Sequence, residues 1–67
     1  MSGPDESHLA AAIVSRALRR PDLKNRSLFL RELMAHAAAG LALMEGERAA
    51  GEAVYRIADA VVDRSRA

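Results

Sequence analysis

Two histidines, His8 and His36, nine carboxylates and one basic stretch are the groups of this 67-residue chain from which chemistry could be built. A catalytic or metal role needs several such groups converging on one point. Neither histidine stands in a pattern with other histidines or carboxylates that reads as a metal site, and no three catalytic partners assemble around His36. His36 is expected instead to pack at an interface with its ring hydrogen-bonded. The absence of cysteine removes thiolate metal sites, thiol nucleophiles and disulfides together. Gly40, Gly46 and Gly51 follow at intervals of six and five residues, so they neither line one helical face nor form a phosphate-cradling loop. The expectation is a protein that is not an enzyme and uses no cofactor or metal.

The strongest electrostatic feature lies between residues 16 and 31. Arg16, Arg19, Arg20, Lys24, Arg26 and Arg31 stand there against Asp22 alone, an excess of five positive charges; the remainder carries minus four, giving the net charge of +1. Arginine offers paired donors to phosphate, so this segment is a candidate contact for an anion, a nucleic acid or an acidic partner. Two considerations weaken the nucleic-acid reading. Arg16, Arg19 and Arg20 fall in the last turn of the first helix, where the dipole favours cations, and carboxylates of the third helix could neutralise them within a dimer. The charge of the whole chain is also nearly balanced, unlike that of a basic binding domain. A helix-turn-helix fails: with Ala42 and Gly46 as the first-helix alanine and the turn glycine, Glu47 and Glu52 occupy positions that should be apolar.

The elements that position these groups read as three helices. Pro4, Asp5 and Glu6 suit a helix start, and Leu9, Ile13 and Ala17, beside Ala10, Val14 and Leu18, form an apolar stripe. Pro21 disfavours helical geometry at Arg20, so helix 1 is expected over residues 4–20. Helix 2 is expected from Asp22, the preferred N-cap over Ser27, to Glu45. Along it Leu23, Ser27, Leu30, Met34, Ala37, Leu41 and Met44 alternate by four and three residues as a heptad seam, flanked by Phe29, Leu33, His36, Gly40 and Leu43. Gly40 inside this helix is expected to permit a close helix crossing. Gly46 is the expected left-handed residue closing helix 2. A turn there frees the third helix, residues 47–65, to aim its own row of Ala50, Val54, Ile57 and Val61, with Glu52 and Arg56 as a favourable pair four apart. The competing arrangement is one bent helix from Glu32 onward. The positions of Ala39, Gly46, Gly51, Tyr55 and Ala58 are compatible with one tetratricopeptide-type hairpin, but Ala35, Ala38 and Ala42 replace the large residues it needs, so the pattern is taken as hairpin packing alone.

The twelve residues from Leu33 to Met44 carry no formal charge, so a helix through them has no charged face to offer water. The means of covering it are thin. Of 34 hydrophobic residues 15 are alanine, and folding a chain of this length buries only about 60% of the surface the unfolded chain exposes. With no disulfide available, oligomerisation is the expected staple. The fold expectation is therefore an all-α, single small domain over residues 1–67: an N-terminal helix plus a helical hairpin, forming an intertwined homodimeric bundle around paired second helices. Leu30, Leu33, Met34, Ala37, Leu41 and Met44 are the expected interface. The charge-free run is taken as too short to span a membrane, the N-terminus has no basic leader, and the arginine-rich, alanine-rich composition points to a bacterial cytoplasmic protein. The expected function is a non-catalytic protein-interaction module, a small regulator, adaptor or inhibitor that pairs with itself and another protein. The alternative is a nucleic-acid-binding regulator using residues 16–31.

Overall fold

The computed structural model describes residues 5–66. These residues form three helices, α1 (Glu6–Leu18), α2 (Arg26–Glu45) and α3 (Glu47–Arg66), with no strand among the described residues. Each boundary has a local cause. Asp5 is the N-cap of α1; its carboxylate accepts from the His8 backbone N–H at 3.1 Å and stands 3.2 Å from the ring Nδ1. These contacts hold the Asp5 carboxyl below its ordinary pKa, the backbone N–H being the larger cause. The expected start at Pro4 lies outside the described residues. α1 ends at Leu18, two residues before Arg20, and the chain then turns through Pro21.

The expected start of α2 at Asp22 is wrong. The helix begins at Arg26, capped by Asn25, whose side-chain oxygen accepts from the Leu28 N–H at 3.0 Å. Asp22 is occupied elsewhere: its carboxylate takes a two-pronged contact from Arg20, at 3.0 Å from Nε and 2.7 Å from Nη2, so its pKa is lowered and that of Arg20 is raised. Ser27, the other expected cap, lies inside the helix.

Gly46 breaks the chain between α2 and α3, which removes the single bent helix. Its φ of 98° with ψ of 157° is an extended glycine conformation and not the compact left-handed one expected, while its N–H still donates to Ala42 at 2.8 Å. α2 and α3 pack as a hairpin. Apart from Leu41 its seam is made of small residues: Ala38, Leu41 and Ala42 are half-buried on α2, Ala49 and Ala53 on α3, and Ala50 is the one buried side chain among the described residues, at 4% exposure. The hairpin opens quickly, because close approaches between residues twelve or more apart are few. The Cα radius of gyration is 13.9 Å; a compact domain of this length has about 11 Å. Gly40 permits no crossing within the chain, since a Cβ placed there meets nothing within 4 Å.

Candidate functional site

The six basic residues do not form one free surface. Arg26 turns back across the loop and donates to three backbone carbonyls, Leu18 at 2.8 Å from Nε, Arg20 at 3.2 Å from Nη2 and Leu23 at 3.4 Å from Nη1. Carbonyls at a helix C-terminus have no partner inside the helix, and a guanidinium fork supplies several donors at once. Arg26 therefore closes α1 onto the start of α2. Arg20 is held by Asp22. Arg16, Arg19, Lys24 and Arg31 are exposed and form no ion pair among the described residues. Of these, Arg16 and Arg19, with Arg20, border a surface concavity of about 1000 Å³ along α1 whose apolar floor is Leu9 and Ile13. Its lining is α1 and the two residues that follow it, Arg19 and Arg20.

The histidines each have one acidic neighbour that sequence reading passed over. His8 lies beside Asp5, and His36 Nε2 is 3.8 Å from Glu32 Oε1, one helical turn away. Among the described residues no third histidine, cysteine or carboxylate joins either pair to hold a metal ion. The expected packing of His36 is absent within the chain, where its side chain is largely exposed. Glu52 and Arg56, also expected to pair, are not among the ion pairs of the described residues. Among the described residues each histidine thus has a single acidic neighbour, one on α1 and one on α2.

What they do present is apolar surface. The expected interface divides: Leu30, Leu33 and Leu41 are half-buried, while Met34, Ala37 and Met44 are exposed, Met44 at 84%. Leu43 beside it is 90% exposed. No protein-family model matches this chain, and no curated protein or solved structure shows significant similarity to it. The surface is therefore interpreted from its own geometry. Sequence reading placed the unsatisfied apolar face on α2 and gave α3 an apolar row of its own. The structure shows α3 uncovered as well: beyond Ala50, Val54, Ile57, Val61 and Val62 are all exposed, although Val54, Ile57 and Val61 continue the face that seats Ala50. The periodicity that revealed the row could not reveal its exposure, which depends on how far the hairpin opens. α2, whose 20 residues include Arg31 and Glu32, is long and apolar enough by length and composition to cross a membrane, a length the charge-free run alone did not reach.

Proposed function

We propose that this chain is a non-catalytic protein-interaction module, a small regulator, adaptor or inhibitor, that works as a homo-oligomer of helices. One quantity carries the reading. The chain exposes 6179 Å² of accessible surface; a compact monomer of its mass exposes about 4100 Å². The excess of about 2000 Å² per chain amounts to about 4000 Å² for a pair, within the roughly 2000–5000 Å² in total that obligate dimers bury. A chain whose described residues include a single buried alanine has little to set against the conformational entropy of ordering its helices, about 1–2 kcal/mol per residue for the backbone alone. Association supplies the missing burial, so folding and assembly are coupled.

The basic segment favours this reading over nucleic-acid binding, because Arg20 and Arg26 are spent on internal contacts. Thermal unfolding followed by helicity tests the coupling. The midpoint should rise with protein concentration, a hundredfold increase being worth up to about 2.7 kcal/mol for a linked equilibrium. A sharp, concentration-independent transition of a folded monomer would contradict it.

A further inference from the structure

We propose that a second copy of this chain docks on the outer row of α3, antiparallel to it, with Val54 of one copy against Val61 of the other. The proposal rests on the homo-oligomer reading and names the face that reading leaves open. Val54, Ile57, Ala58 and Val61 fall within an arc of about 100° on α3, and all four are exposed. Val54, Ile57 and Val61 continue the face that seats Ala50 against α2, so an occupant there extends an existing helix–helix seam. The row is self-complementary about its own middle. A two-fold axis between residues 57 and 58 sets Val54 on Val61 and the large Ile57 on the small Ala58, at both ends of the interface, as an isologous contact requires.

Charge selects both the occupant and the direction. The carboxylates Glu52, Asp59 and Asp63 lie on the opposite face of α3, while the row is edged by Ala53 and Ala60, so nothing on it repels an identical helix. The first turn of α3 carries Glu47 and its last turn Arg64 and Arg66. Antiparallel pairing opposes the helix dipoles and lays those cations near the partner's Glu47, which shares its turn with Arg48, whereas parallel pairing aligns the dipoles and stacks cation on cation at the C-terminal ends. The concavity on α1 lacks this property: its apolar floor is bordered by Arg16, Arg19 and Arg20, which disfavours a like-charged copy of itself.

The test is sedimentation of Val54→Glu, Val61→Lys and the double variant beside the unaltered chain. Each single substitution should weaken the dimer on the order of 100-fold, since it leaves an unpaired charge in the seam. The double variant should recover at least about tenfold of that loss, because antiparallel pairing sets Glu on Lys at both ends. Failure to recover, or single variants that dimerise unchanged while Met34→Asp dissociates, would overturn this inference and leave the homo-oligomer reading intact. An unaltered chain that stays monomeric, alone or when partitioned onto phosphatidylcholine vesicles, would overturn both. Oxidation of single-cysteine variants gives a reading that does not depend on weakening the dimer. Ile57→Cys should cross-link two copies readily and Asp59→Cys should not, given the short Cα separation a disulfide demands. Equal cross-linking at both positions would contradict the assigned face.

Discussion

Arg26 occupies the first position of α2, where a cation opposes the helix dipole, and its three contacts to carbonyls of residues 18, 20 and 23 account for it being there. Composition alone grouped it with the phosphate-seeking arginines; the one available signal was its unfavourable place beside the Asn25 cap. Replacing Arg26 with Ala should accelerate amide exchange across residues 19–25 and weaken the docking of α1. Unchanged exchange there would remove the clasp from the account. Asn25→Ala should cost about 1 kcal/mol, the usual value of an N-cap, measured by chemical denaturation. Asp5 and Asp22 supply the pH dependence. Both carboxyls titrate below their ordinary value in the folded chain, Asp5 chiefly through the His8 N–H and Asp22 chiefly through the Arg20 hydrogen bonds. Their contribution is therefore complete above the unfolded pKa, about pH 4, and is lost as pH falls through the lower folded values. Both are fully exposed, so the effect is small. Helicity should fall on acidification below about pH 4. Asp5→Asn keeps a competent cap and should blunt that fall; an identical acid profile would exclude Asp5 as a source. For the basic surface the expectation is no duplex-DNA binding tighter than about 0.1 mM at physiological salt. Micromolar, steeply salt-dependent binding that is lost on replacing Arg16, Arg19 and Arg31 would restore the alternative function.

At the scale of elements, the apolar periodicities of all three helices and the break at Gly46 were legible, because spacing and glycine chemistry are local properties. The start of α2 was not. Three residues in six, Asp22, Asn25 and Ser27, can cap a helix, and the choice among them is made by Arg20 claiming Asp22 in space. Gly46→Ala should destabilise by about 1–3 kcal/mol, because its positive φ with extended ψ is nearly closed to residues with a Cβ, although no neighbour would touch the added methyl. A neutral or stabilising result would mean that the helix runs through. Gly40→Ala should stabilise by up to about 1 kcal/mol, since a Cβ there meets nothing and alanine is the better helix former. Loss of association on that change would instead put Gly40 at a close crossing between copies.

For the whole molecule, the charge-free run announced that something must cover α2, yet the sequence could not apportion the covering. Ala38, Leu41 and Ala42 on α2 and Ala49, Ala50 and Ala53 on α3 lose exposure, while Met34 and Met44 remain open and α3 is exposed from Val54 to Arg66. That division follows from alanine on both sides of the seam: small side chains let the helices touch near Gly46 but bury little area to hold them together further out. On the proposed reading, a chain that is all-helical over its described residues, with an open hairpin and about half again the surface of a compact monomer, is half of a larger packing unit. Sedimentation equilibrium of the unaltered chain from about 1 to 200 µM tests this most directly, across the range in which coupled folding and association respond to mass action. The predicted result is a species of twice the 7.2 kDa chain mass that dissociates on dilution with parallel loss of helicity. A helical species of 7.2 kDa, monodisperse through the whole range, would contradict the account.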